Sequence, residues 1–287
     1  MSIEVFQRAT ALISAGRPEQ ALAELTRLPA SDAISARAHY LRCVALANLE
    51  RWPEAAESAR QGLTAGGPDA DLLRLLGRAE QEMGNLPVAE RALLDGLALA
   101  PSDPDLLCAY ARLCIADNQI DKAAKLVDRA AAQDPHSPTV YATRVQLAYA
   151  RGDDRAAQRI AREFVAAYPE NPAAHALLGG TSAARGHVGD AYSGLRQAAA
   201  SAPDEQAYAE SALEARIASH PLLVPIRPIM RFGPLKTWIA AIVIIYGLRA
   251  IGLGALSAVF AGLWLILCVY SWVVPPLVSR WMKRHWR

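Results

Sequence analysis

By residue type, six histidines are the first candidates for acid–base or metal chemistry, and their placement argues against both. His39, His136, His175, His187, His220 and His285 lie scattered along 287 residues, none at a ligand spacing from another histidine or a cysteine. The four cysteines, Cys43, Cys108, Cys114 and Cys268, include no CxxC pair and read as reduced, small apolar residues of an interior. No HExxH, GxSxG or glycine-rich phosphate loop occurs. The adjacent Asp153 and Asp154 read as a solvated turn that opens a helix, not as an acid–base pair. The expectation is a chain with no catalytic centre, no metal and no cofactor.

Charge is more informative. Residues 1–220 carry 22 Lys/Arg against 28 Asp/Glu, whereas residues 221–287 carry 8 Lys/Arg and no acid. The acidic part lacks a basic stripe interleaved with aromatics, which speaks against nucleic acid as a partner. The acid-free part holds five of the six tryptophans, Trp238, Trp264, Trp272, Trp281 and Trp286. Cations and indole rings together suit the surface of an anionic membrane.

The elements behind these residues follow from an internal repeat. Ala21, Ala55, Ala89, Ala123, Ala157 and Ala191 are each 34 residues apart. Three further marks keep the same register. Ser35, Asp69, Asp103, Ser137 and Asn171 are good N-cap residues, the last three followed directly by proline. Gly16, Glu50, Gly84, Asn118, Gly152 and Gly186 stand five residues before each repeated alanine, where mostly Gly and Asn suit a left-handed helix end. Pro101, Pro135, Pro169 and Pro203 end the second helix. Each unit thus reads as cap, first helix, turn, second helix, stop. A second column of mostly small residues, Ala9, Cys43, Gly77, Ala111, Val145 and Gly179, marks the first helix of each unit.

With these marks the chain resembles the tetratricopeptide-repeat family, and in outline bacterial members with a C-terminal membrane region. The motif's early tryptophan is replaced by Val5, His39, Leu73, Leu107, Tyr141 and His175, and its proline is missing after the first two units, so those two are expected to be less regular. The expected fold is all-α: a solenoid of about six helical hairpins near residues 2–35, 36–69, 70–103, 104–137, 138–171 and 172–203. A capping helix at 204–219, opened by Asp204 and Glu205, completes an array over residues 1–220.

The resemblance implies that the concave face, lined by the first helices, binds a peptide or helix of a partner protein. Its inward positions fall on Arg37, Tyr40, Asn48, Arg74, Arg78, Gln81, Arg112, Gln146 and Tyr149. Arginine's rigid donor fork suits carboxylates, so the expected ligand is an acidic segment or a free C-terminal carboxylate. The alternative is that these arginines pair with neighbours such as Asp71, Glu82 and Asp105. The carboxylate clamp of chaperone-binding relatives is not matched, because Phe6 and Thr10 occupy its first-repeat positions.

Beyond a proline-rich basic linker at 221–234, two apolar stretches at 235–252 and 254–274 are each long enough to cross a bilayer, the second stopped by Pro275 and Pro276. They predict a transmembrane hairpin within 235–278, its tip at residues 252–254 and Arg249 snorkelling to the far headgroups. Gly254, Ala258 and Gly262 recur every four residues, suited to packing the hairpin on itself or to joining copies of the chain as a homo-oligomer. Arg227, Arg231 and Lys236 precede the hairpin, and Arg280, Lys283, Arg284 and Arg287 follow it, the last four in a basic tail at 279–287. By the positive-inside rule both ends are cytoplasmic. The N-terminal stretch has no basic region leading into an apolar run, which agrees. The expected role is a non-enzymatic adaptor on the cytoplasmic membrane that recruits a cytosolic or membrane protein and touches anionic lipid. The alternative is an accessory or assembly subunit of a membrane complex, contacted through the hairpin.

Overall fold

The computed structural model describes residues 2–203, 206–226 and 233–285. It is helical throughout, with no strand among the described residues. The hairpins are α1 (Ser2–Ser14) with α2 (Pro18–Leu25), α4 (Ala36–Asn48) with α5 (Trp52–Gly66), and α6 (Ala70–Glu82) with α7 (Leu86–Leu99). They continue with α8 (Pro104–Ala116) and α9 (Ile120–Gln133), α10 (Pro138–Ala150) and α11 (Asp154–Ala167), then α12 (Pro172–Ala184) and α13 (Val188–Ser201). A four-residue α3 (Ala30–Ala33) follows α2. After them come α14 (Gln206–Ser219), a short 3-10 helix (Pro221–Ile226), α15 (Pro234–Ala250) and α16 (Gly254–His285).

The turn within each hairpin has one geometry. Arg17, Arg51, Asn85, Gln119, Asp153 and His187 donate their backbone N–H to the carbonyl five residues back, and the residue before each is left-handed. Glu50 at φ 56° and Asn118 at φ 58° adopt it without being glycine, so the closure demands the conformation whatever residue stands there. The second helices stop two residues before Pro101, Pro135, Pro169 and Pro203. α5 ends at Gly66, also two residues before a proline, but Pro68 stands one position off the column and the cap between them is Gly67, whose φ is 84°. The first hairpin is the irregular one, with an eight-residue second helix followed by α3.

Four of the five N-caps act as the spacing predicts. Ser35, Asp69, Asp103 and Asn171 accept first-turn N–H groups through their side chains. Ser137 does not; Pro138, with φ already helical, opens α10 instead.

The chain divides into two compact units, residues 1–177 and 178–287, with the boundary inside α12. In the first, Ala21, Ala55, Ala89, Ala123 and Ala157 are fully buried, as are Ala9, Cys43, Ala111 and Val145 of the first helices. A Cβ on Gly77 would lie 2.6 Å from Leu93 Cγ, so the helices touch there without room for a methyl group. The second unit packs α13 on α14, α15 on α16, and α16 on both α14 and the 3-10 helix. Asp204 and Glu205, expected to open the capping helix, lie outside the described residues.

The second apolar stretch departs from expectation. α16 runs through Pro275 and Pro276 to His285. Each proline removes one N–H donor, but its own φ is helical, and the helix continues past the adjacent pair. α15 is 17 residues long and turns at Gly252 (φ 82°), where Leu253 N–H bonds the Leu248 carbonyl in the closure the repeats use. Among the described residues one helix, Gly254–Met282, is long and apolar enough by length and composition to cross a membrane.

Candidate functional site

Residues 34 apart recur on neighbouring first helices, so the positions on α4, α6, α8 and α10 that the repeat predicts to face inward fall in two ladders. Arg78, Arg112 and Gln146 make one; Tyr40, Arg74 and Cys108 make the other, one turn earlier. α4 packs on α6, α6 on α8 and α8 on α10, which brings the ladders side by side.

The three arginines at the centre have different surroundings. Arg74 donates to Asp71 at 2.9 Å, and its side chain is 25% exposed. Arg78 is exposed and lies over the Trp52 ring, 5.3 Å from its centroid. Arg112 is half-buried and, among the described residues, has no hydrogen-bond or ion-pair partner. Burial lowers its pKa, and the neighbouring Arg78 and Arg74 charges lower it further against the pull of Cys108 and Asp105. A guanidinium with two like charges beside it and no carboxylate in contact favours an arriving anion. Tyr40, half-buried, lies in the field of Asp71 and Arg74, and burial raises its pKa. Burial also pushes the Cys43 thiol up to about 12, against the pull of Arg74 and Arg78, so it is inert as a nucleophile.

The other predicted groove residues are less connected. Arg37 is exposed and lies over the Phe6 ring at 4.8 Å, toward the first hairpin. Tyr149 is half-buried, its pKa raised by burial and by Asp154. Asn48 and Gln146 are exposed and Gln81 is half-buried. The expected pairing with neighbours holds for Arg74 alone among the arginines of the ladders.

Cross-repeat polar contacts were not legible in the sequence. Glu90 accepts from the Tyr110 hydroxyl at 2.7 Å and from Lys122 at 3.0 Å, while the Lys122 ammonium sits 4.5 Å from the Tyr110 ring centroid. These bonds hold the Glu90 carboxyl below its usual range. Buried Glu80 pairs with Arg60 and accepts from Asn85 at 2.8 Å. Both sets tie adjacent hairpins together. The signal available was a charge facing its opposite one repeat away, which a register fixed on small residues does not weigh.

His39 is buried with Nδ1 unpartnered, and burial followed by the Arg42 charge lowers its pKa. His175, at the same repeat position, bonds the Pro169 carbonyl through Nε2 at 2.6 Å. Among the described residues no group of three His, Cys, Asp or Glu could hold a metal ion.

In the tail, Lys236, Arg280 and Arg284 are exposed. Lys283 lies on α16, and Arg227, Arg231 and Arg287 fall outside the described residues. Gly254, Ala258 and Gly262 are exposed; α15 is met instead by Ser257, whose hydroxyl bonds the Ile245 carbonyl at 2.9 Å. The stripe is therefore open.

Two family models, both described as tetratricopeptide repeat, match residues 6–70 and 91–147. No curated protein matches the chain. Among solved structures, a tetratricopeptide-repeat protein of Thermus thermophilus is similar at 16% identity and a TM-score of 0.58, over 63% of this chain and 99% of that one. PilW, described as a type IV pilus biogenesis factor, is similar at 18% identity and a TM-score of 0.55, over 74% and 97%. PilF of Pseudomonas aeruginosa is similar at 19% identity and a TM-score of 0.50, over 74% and 97%. At these identities the likeness is one of fold.

Proposed function

Because the chain is a tetratricopeptide-repeat protein, with the fold of a protein-interaction scaffold, we propose that it is a membrane-anchored adaptor whose concave face captures an acidic segment of a partner. The observation that carries this reading is Arg112, half-buried beside Arg74 and Arg78 with no carboxylate in contact among the described residues. A partner carboxylate arriving there gains charge-assisted hydrogen bonds from a donor already partly stripped of water. Tyr40 and the exposed Arg78 border the same place and extend the contact along the chain of the ligand.

Anchoring is supported by the apolar helix Gly254–Met282 and by the second apolar helix, α15, before it. We assign both to one hairpin in the cytoplasmic membrane, with residues 1–220 and the C-terminus on the cytosolic side. The exposed cations at Lys236, Arg280 and Arg284 then face anionic headgroups, each adding on the order of 1 kcal/mol. Packing of α14 against α16, with His220 against Trp281 just beyond α14, favours this topology, because α14 and the C-terminal end of α16 then share one side of the bilayer.

A fluorescein-labelled oligoglutamate peptide with a free C-terminal carboxylate, titrated against the full-length protein in vesicles, tests the groove. Salt-sensitive binding that is lost in the double variant Arg74→Glu, Arg78→Glu is expected; equal binding by the variant would refute capture at this face. The open stripe Gly254, Ala258 and Gly262 favours a second reading, in which the hairpin itself docks on a membrane partner or on a second copy of the chain. Exchanging the tail for an unrelated two-span hairpin separates the two, since an adaptor keeps its recruiting activity and a hairpin-docked subunit loses it.

A further inference from the structure

α16 is 32 residues long, about 48 Å as a helix, whereas a hydrocarbon core about 30 Å thick takes about 20 residues. A substantial part of α16 therefore projects beyond the core. Two contacts mark where. The Tyr270 hydroxyl donates to the Leu222 carbonyl at 2.7 Å, and the His220 and Trp281 rings meet edge to face at 6.4 Å. Beyond its prolines α16 buries Val278 and Met282, one turn apart, in the unit where it packs on α14 and the 3-10 helix.

Depth follows from the helix rise. Tyr270 stands 16 residues after Gly254, about 24 Å along the axis. With Gly254 at the far edge of the hydrocarbon core, Tyr270 is about 6 Å short of the near edge. Its hydroxyl, an interfacial group by chemistry, reaches the Leu222 carbonyl at that edge. The 3-10 helix has three residues per turn. Leu223 and Ile226 thus share one face and are buried, while Leu222 and Val224 face outward, 51% and 49% exposed.

From this placement we infer that the Pro221–Ile226 helix is a third membrane contact, lying in the leaflet interface where α16 emerges, with Leu222 and Val224 inserted among the upper acyl chains of a phospholipid bilayer. The inference rests on the anchored reading above. Its consequence is mechanical: α14 ends at Ser219, directly before the embedded turn, so the capping helix is held at the bilayer surface with no free tether between.

The test uses the full-length chain with Val224→Cys and Cys268→Ser, the other three cysteines being buried. A nitrobenzoxadiazole label at 224 is read in phosphatidylcholine–phosphatidylglycerol vesicles against the same label at Leu94→Cys, an exposed array position. Expected are blue-shifted emission, iodide quenching several-fold weaker than at 94, and stronger quenching by nitroxides near the headgroup end of the acyl chain than near its tail. Equal iodide access at both positions in protein that co-floats with vesicles overturns the inference and leaves anchoring intact. Protein that fails to float overturns the anchored reading itself, and the inference with it.

Discussion

Residues 1–177 and the helices beyond residue 233 are rich in the same residues, alanine and leucine, and use them in opposite ways. In the first region the repeated alanines are fully buried and Gly77 leaves no space for a methyl group. In the second, Leu263, Leu265 and Ile266 are more than 60% exposed, and α15 is apolar on every side. A helix with one apolar stripe is completed by its neighbour; a helix that is apolar all round needs cover on every side, which in the anchored reading proposed above is lipid. The difference teaches that burial among the repeats comes from neighbouring helices, whereas the tail's apolar faces stay exposed, as an anchor in the proposed reading requires.

The sharpest way to break that contrast is to make a similar truncation in both regions. Phe164 is 1% exposed and stacks on Tyr141 with ring centroids 5.1 Å apart. Phe164→Ala is expected to cost about 3–5 kcal/mol in denaturant unfolding of the full-length protein in detergent. Leu265→Ala is expected to change the same measurement by less than about 0.5 kcal/mol. Comparable losses at both sites would show that protein, not lipid, covers the tail.

The next largest effect belongs to the tail. Ile266→Lys places a cation on the exposed face of α16 and should weaken membrane insertion by about 2.5–3.5 kcal/mol, read as the fraction co-floating with vesicles. Insertion at the parent level would mean that this face does not meet the hydrocarbon core.

Arg112→Ala removes a charged donor from the groove without touching the tail. Acidic-peptide affinity should fall about ten-fold or more, the equivalent of 1.5–3 kcal/mol, while flotation stays unchanged. Parent-level affinity would return the ladder to an ordinary solvated face.

The smallest effect is a pH dependence confined to the array. The folded pKa of His39 lies below its unfolded value, so the unfolded chain takes up the proton first as pH falls. Stability should decline below about pH 6.5, the unfolded histidine value. His39→Leu should flatten that part of the curve, and an unaltered slope would assign it to other groups.

Much of the array was legible because a tandem repeat states its rule several times. Caps, left-handed turns and proline stops are local chemistry, and one register carried all three. The misreadings have local causes as well. Ser137 has the chemistry of a cap but leaves the task to Pro138. Pro275 and Pro276 have the chemistry of a stop but sit side by side inside α16. Of the groove, the positions came from the repeat; which arginine lacks a partner did not, since Asp71 pairs with Arg74 along one helix but Trp52 and Phe6 reach Arg78 and Arg37 only once the helices are packed.

The sequence by itself determined the helical repeat, its turns and the apolar tail, because these depend on residue type at fixed spacing along one chain. Only the tertiary structure decided that Arg112 lies beside Arg74 and Arg78 with no ion-pair partner among the described residues, that Glu90 and Glu80 bind across repeats, and that Tyr270 reaches back to Leu222. Those contacts join residues 20 to 48 positions apart. Their formation depends on how helices lie against one another, which spacing along the chain does not encode.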